Sequence, residues 1–396
     1  MPRRHPGTPR LLRQLNDRAA LELLLSKGPL TRAELGEYTG LSKVTSGQLL
    51  ARLENRGLVT VSGERPGGRG PNAALYAVVP SSAYVAGLEV LPESVTAGVA
   101  DITGEIIAEV TVDPGEGGEP VKTVHNAVRR VCDYANISLS RLRALVIGTR
   151  GVVDPRTGDV RFSFDLPSWH AGVLADLRAT FGSSVMIEND VNLAALAEHA
   201  YGVARGVDDF VLLWAGVGQG LGVMLGSRLH RGFTGGAGEI GWLPVPGEPL
   251  PIDVNEPQSG SFQRLVGTGA VTGLATYHGL GSARPRPAQT SAADIVFGAV
   301  STGQEDFLDE LARRLAIGVA AVTVVLDPGL VVLSGDVGRA GGRALAGRIE
   351  KAVAEICPSR PRVTVTEVKG NPVLRGAVTA ALEQAREEVF SNTIDA

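Results

Sequence analysis

The sequence predicts an α/β protein in which an N-terminal winged helix-turn-helix leads into a larger body made from a duplicated α/β unit. Three observations carry that prediction. Two short helical segments meet at a glycine and are followed by a strand, a Gly/Arg loop and a return strand; past Pro80, short apolar strands alternate with helices; and the order of three strands, a helix and a strand occurs twice. At 396 residues the chain is longer than one hydrophobic core organises, so more than one domain is expected.

The first ten residues form a basic tail rich in Pro and Arg. Over residues 11–27, Leu12, Leu15, Ala19 and Leu23 recur at helical spacing, and Gly28-Pro29 ends the run, giving an amphipathic helix expected to pack on the next two. Thr31-Arg32-Ala33-Glu34 reads as a capping box, with Leu35 and Tyr38 on the buried side and Gly40 as the stop. Ser42 is placed to accept a bond from a free N–H of the next helix, and Gly57 suits a left-handed end. Within that helix Leu49, Leu50 and Leu53 make an inner stripe, and Lys43, Thr45, Gln48 and Arg52 face elsewhere. Gly47 weakens it by roughly 1 kcal/mol relative to Ala. Strands at 58–62 and 74–79 flank a loop at 63–72 whose Arg65 and Arg69 sit among glycines, a backbone able to approach DNA closely.

In the body, strands are expected at 84–89, 95–101 and 106–112, with a hairpin turn at Asp101-Ile102-Thr103-Gly104, then a helix at 119–136 and a buried strand at 145–149. A strand at 185–189 feeds a helix at 191–201. The second round has strands at 210–215 and 221–225 around a glycine-rich turn, a helix at 305–326, strands at 330–334 and 362–368, and a closing helix at 372–389. Two such units leave a cleft between them.

The net charge of −4 conceals an asymmetry: residues 1–79 hold 12 Lys and Arg against 6 Asp and Glu, and the remainder 26 against 36. A basic head on an acidic body suits a small module that neutralises phosphates while the body stays off the polyanion. No apolar run is long enough to cross a bilayer and no signal-peptide core follows the basic start, so a cytoplasmic protein without membrane contact is expected. Cys132 and Cys357 lie far apart and outside any metal-ligand spacing, which reads as two reduced thiols.

The chain also carries Gly148-Thr149-Arg150-Gly151-Val152-Val153-Asp154, Asp165-Leu166-Pro167-Ser168-Trp169, Glu188-Asn189-Asp190-Val191-Asn192, Gly216-Val217-Gly218-Gln219-Gly220 and Gly236-Ala237-Gly238-Glu239-Ile240-Gly241. With the winged helix in front, this series resembles the ROK family of sugar-responsive repressors and sugar kinases, over nearly the whole chain. The resemblance implies an actin-like, hexokinase-like (RNase H-like) two-lobed body with a sugar in its cleft. It implies domains at 11–80 (winged helix), 81–190 (first lobe, completed by a helix at about 372–390) and 191–371 (second lobe, with dimerisation). It places Asn189, Asp190, Glu239, Trp242 and Gln263 at the sugar; Asp190 matches the kinases' general base, although a helix N-cap is its plainer role.

Departures from the family pattern set the branch. Where kinases hold nucleotide phosphates on an Asp-Xaa-Gly-Gly-Thr turn, this chain reads Glu89-Val90-Leu91-Pro92-Glu93-Ser94, and the second phosphate loop reads Gly216-Val217-Gly218 without its hydroxyl. The family's zinc ligands are missing: Trp242 stands at the His position and Ser261 at the last Cys. Neither cofactor nor metal is expected, and no catalysis. The expectation is a homodimeric or tetrameric repressor that reads a palindromic operator through Lys43, Thr45, Ser46, Gln48, Arg52, Arg65 and Arg69 and answers to a sugar effector. A sugar kinase with a DNA-binding head and a ligand-independent regulator are the alternatives.

Overall fold

The computed structural model describes residues 9–66, 72–115, 119–163, 166, 168–169, 172–182, 184–249, 253–254, 260–280 and 291–391. The head contains α1 (Pro9–Lys27), β1 (Leu30–Thr31), α2 (Arg32–Thr39), α3 (Lys43–Asn55), β2 (Val59–Arg65) and β3 (Ala73–Val78), with its strands in the order β1-β3-β2. The local signals act as expected. Thr31 and Glu34 close the capping box, Ser42 accepts from the Thr45 N–H, and Gly40 and Gly57 take left-handed φ at the helix ends. Leu49, Leu50 and Leu53 are buried.

Three expectations in the head are corrected. Leu12 and Leu15 are exposed, and α1 buries Ala20, Leu21 and Leu24 instead. The buried face is therefore rotated from the one read in the sequence, toward α12, α2 and β3, on which α1 packs. Tyr38 is exposed too, and the Lys27 ammonium lies 4.6 Å from its ring centroid.

The body begins with β4 (Tyr84–Val90), β5 (Val95–Asp101), β6 (Ile106–Val112), α4 (Pro120–Ala135) and β7 (Leu142–Thr149), then the short β8 (Val152–Val153) and β9 (Val160–Arg161), α5 (Val173–Phe181) and β10 (Val185–Asn189). It continues through α6 (Asp190–Tyr201), β11 (Phe210–Ala215), β12 (Gln219–Leu225), β13 (Arg228–Leu229), α7 (Phe262–Val266), α8 (Thr268–Tyr277), α9 (Ala292–Thr302) and α10 (Glu305–Leu326). The last elements are β14 (Leu330–Ser334), α11 (Gly335–Ile356, broken at Gly342), β15 (Arg362–Val365) and α12 (Pro372–Ser391).

The repeat is visible in the sheets. One runs β10-β7-β4-β5-β6 and the other β15-β14-β11-β12-β13; each has three antiparallel strands extended by two parallel ones. In both, the parallel strands carry near-continuous burial, as a sheet covered on both faces requires. The helices α5, α7, α8, α9 and α11 were not foreseen, and β15 stops at Val365, short of the expected 368.

Helix α12 joins the parts. It lies on β4 and β7, crosses α6, and shares one buried cluster with the head: Leu49, Leu50 and Leu53 belong to the same core as Val373, Ala377, Ala385 and Phe390. At the crossing, a Cβ on Gly376 would stand 1.8 Å from the Leu193 carbonyl oxygen, so no larger residue fits without parting the helices. Gly376→Val is expected to cost about 3 kcal/mol or more in urea unfolding, whereas Gly347→Ala on α11, whose added methyl meets nothing within 4 Å, is neutral or stabilising by up to about 1 kcal/mol.

Candidate functional site

On the head, α3 presents Lys43, Thr45 and Gln48 to solvent, as the sequence indicated. Ser46 does not join them, which corrects that expectation. It is fully buried, its hydroxyl donates to the Ser42 carbonyl at 3.1 Å, and Gly36 of α2 packs against it. The small hydroxyl lets the two helices close together. Arg52 is half-committed as well: its guanidinium pairs with buried Asp17 of α1 at 2.5 Å, so its first task is to fix α3 on α1. Arg65, at the end of β2, pairs with Glu34. The Glu34 carboxyl is held below its ordinary value, first by the Thr31 backbone N–H and then by Arg65. Arg69 and residues 1–8 of the basic tail lie outside the described residues, while Pro9 and Arg10, expected in that tail, begin α1. Arg32, passed over in the sequence, is exposed beside α3, with its guanidinium 3.5 Å from where a Gly47 side chain would begin.

The second candidate site is a cavity of about 680 Å³ between the lobes, at the C-terminal ends of β4, β10, β11 and β14. Ligands of α/β sheets gather at such ends because the chain there turns away and leaves a crevice. All five residues expected at the sugar line it: Asn189, Asp190, Glu239, Trp242 and Gln263. Their side chains are not equally available. Asn189, rather than Asp190, is the N-cap of α6: its Oδ1 accepts from the Asn192 N–H at 3.0 Å, and its Nδ2 donates to the Gly151 carbonyl at 3.0 Å. That overturns the capping role considered for Asp190. Gln263 spends its amide on the glycine turn, donating to the Val217 carbonyl at 2.9 Å and accepting from the Gln219 N–H at 3.1 Å. Trp242 donates its indole N–H to the Val254 carbonyl at 3.2 Å and meets Phe162 edge-on, with ring centroids 6.0 Å apart. Phe162 holds φ at +57°, a left-handed conformation rare for a bulky residue, at the mouth of the cavity.

Charge concentrates on the floor. Burial, and next the charge of Asp190, push the Glu239 carboxyl up to about 7. Burial likewise raises Glu89, opposed by the Asn371 amide that donates to it. Glu89, Arg150, Trp214, Asp336 and Asn371 also line the cavity; Glu89 and Arg150 stood in the quoted motifs without a role at the sugar, and the other three were not singled out from the sequence. Their signal was position alone, since Glu89, Arg150, Trp214 and Asp336 stand at or just past strand ends. Of the Asp165–Trp169 stretch, Asp165 and Pro167 lie outside the described residues, while Leu166 and Trp169 are core. The turn that departs from the phosphate-binding pattern is a closed hairpin: Leu91 N–H donates to the Ser94 carbonyl at 2.9 Å, Ser94 N–H returns the bond at 3.4 Å, and Pro92 has no N–H. Few amides remain there for an anion. Among the described residues no cluster of three or more His, Cys, Asp or Glu is placed to hold a metal ion, and no helix is long and apolar enough to cross a membrane. Both cysteines are buried, and burial pushes the Cys132 thiol up to about 11.

Residues 85–383 match the ROK family and residues 14–70 the MarR family. The chain is 25% identical over 246 residues to the DNA-binding transcriptional dual regulator NagC of Escherichia coli K12, covering 62% of this chain and 60% of that protein. It thus spans less than two thirds of that relative's length. A glucokinase of Thermotoga maritima is 30% identical over 293 residues, covering 71% of this chain and 90% of the enzyme. In structure, the chain is similar to a ROK family transcriptional regulator described as a homologue of the E. coli Mlc protein, with TM-score 0.76 and 18% identity over 96% of this chain and 99% of that one. That likeness shows the fold, a winged helix on an actin-like body.

Glu239 generates a pH prediction. Its folded value of about 7 lies above the ordinary 4.5, so the stability it contributes is complete below the lower value and is lost as pH rises through the upper one. Melting temperature should fall between about pH 5 and about pH 8, and Glu239→Gln should flatten that decline. An unchanged slope in the variant would place the titration elsewhere.

Proposed function

The chain belongs to the ROK family, and from that premise we propose that it is a DNA-binding transcriptional regulator, a repressor of carbohydrate uptake or metabolism genes, controlled by a sugar or sugar derivative in the interlobe cleft. In this reading the heads of a homodimer, or of a homotetramer, bind a palindromic operator. Lys43, Thr45 and Gln48 contact base edges and nearby phosphates, and Arg65 and Arg69 of the wing add backbone or minor-groove contacts. Arg52 holds the angle of α3. Phosphate competes with Glu34 for Arg65, which couples wing position to DNA.

The observation that carries the proposal is the continuity between cleft and head. Asn371, directly before α12, holds Glu89 on the cavity floor, and Pro372 lines the cavity. Eighteen residues on from Asn371, a span of about 27 Å, the Val389 carbonyl accepts from Arg56, just past the end of α3. A sugar that engages Glu89 or Asn371 differently in two lobe arrangements shifts this rod, and with it the setting of α3; without unequal affinity it would shift nothing.

The kinase reading has one observation in its favour, Asp190 at the cleft with a glucokinase among the relatives. The spent amides of the Leu91–Ser94 turn weigh against a bound nucleotide. A coupled assay for ATP consumption over a hexose panel, repeated with Asp190→Ala, separates the two; turnover abolished by that change would establish the enzyme.

Two mobility-shift outcomes are expected on the operator nearest the protein's own gene. Gln48→Ala should weaken binding about fivefold or more with unaltered circular dichroism, since a good base contact carries about 1–3 kcal/mol; full retention would refute α3 as the reading helix. Asn371→Ala should still bind the operator yet lose most of its response to the effector sugar.

A further inference from the structure

We propose that the cleft takes a disaccharide, with one ring beside Asp190 and Glu239 and the second ring seated on Trp214. This rests on the reading of the cleft as a carbohydrate site and specifies its ligand. Three observations carry it.

The first is size. A cavity of about 680 Å³ falls within the roughly 300–1,000 Å³ that hold drug-sized ligands, and a single hexose of a dozen heavy atoms leaves much of it to water. Second, the wall is equipped twice over in the way that sugar recognition needs, with an aromatic surface for the C–H face of a ring and polar groups for its hydroxyls. One group of lining residues has Phe162 against Trp242 and Asp190 near Glu239; a second has Trp214 and Asp336 about Gly216, with Glu89 near Asp336 and bonded by Asn371. The Trp214 indole fits because position 216 is glycine: a Cβ there would lie 3.1 Å from its Nε1.

Third, the turn beside Glu89 is closed on itself. The Leu91 and Ser94 amides bond across it and Pro92 offers none. The cavity wall carries Glu89 and Asp336 together with Arg150 and Arg339, and Arg150 lies near enough to Glu89 to oppose the rise of its carboxyl. Carboxylates and guanidiniums that offset one another give no net positive cradle for a polyphosphate, but they offer donors and acceptors to the hydroxyls of a neutral ring. Leu91 adds apolar surface to the wall.

The test is calorimetry on the full chain with maltose, cellobiose, lactose and chitobiose, set against glucose, galactose and N-acetylglucosamine. At least one disaccharide should bind tenfold or more tightly than either of its component rings. Trp214→Leu should reduce it to the affinity of the single ring. Leu91→Trp, a change on a hairpin turn that fills the second seat without touching the core, should do the same if the first variant fails to fold. Equal affinity for one ring and two, or an advantage that survives both substitutions, overturns the inference while leaving a sugar sensor intact. Silence from every sugar of either size overturns the carbohydrate reading of the cleft, and this inference with it.

Discussion

Position 376 carries no side chain, and that lets the backbone of α12 press against the Leu193 carbonyl of α6. The close crossing seats α12 in the groove between α6 and the first sheet, where Val373 and Ala377 become core. Everything else about the helix follows from that seat. Its start is fixed at the cleft floor through Asn371, and its end is fixed against the head through the Val389 carbonyl. A helix anchored so near its start has little freedom to slide. A displacement imposed at Asn371 would therefore reach the far end as a tilt rather than as a slide.

The head is organised on the same economy of small groups. Ser46 and Gly36 meet where α2 and α3 approach closely, and buried Asp17 holds Arg52 from below. A charge as enclosed as Asp17 requires a partner, so the pair specifies one relative orientation of α1 and α3. The exposed residues of α3 thereby include Lys43, Thr45 and Gln48 in its first two turns, polar groups on a rigid support.

Much of this was legible in the sequence, for identifiable reasons. Caps and glycine stops are local chemistry, so Thr31, Glu34, Ser42 and Gly40 were readable without any tertiary knowledge. The strands at 95–101, 185–189, 210–215 and 330–334 were placed to the residue because sheets buried on both faces write largely continuous apolar runs, and the edge strand at 106–112 because its β-branched residues stand between turn signals. Helix α11 was not, because Gly335, Gly338, Gly341, Gly342 and Gly347 interrupt its helical pattern; Gly338 and Gly341 are there to let Leu333 and Leu345 pack close. In α1, spacing identified a helix but not which side was inward, since that depends on where α12 lies. The cleft shows the same division. Motifs found Asn189 and Gln263 but not that their amides are consumed in holding turns, and Glu89 and Trp214 gained meaning only when the chain folded their strand ends together.

The single buried cluster that runs from Leu49 to Phe390 has a consequence for biosynthesis. Arg56 and Val389 are 333 residues apart in sequence, yet the buried cluster under the winged helix is finished only when the later segment arrives. A ribosome-bound chain displaying the first eighty residues holds that cluster in part, with apolar surface still uncovered. Completion of the N-terminal unit's core is thereby tied to synthesis of the last helix, whose Ala385 and Phe390 belong to it.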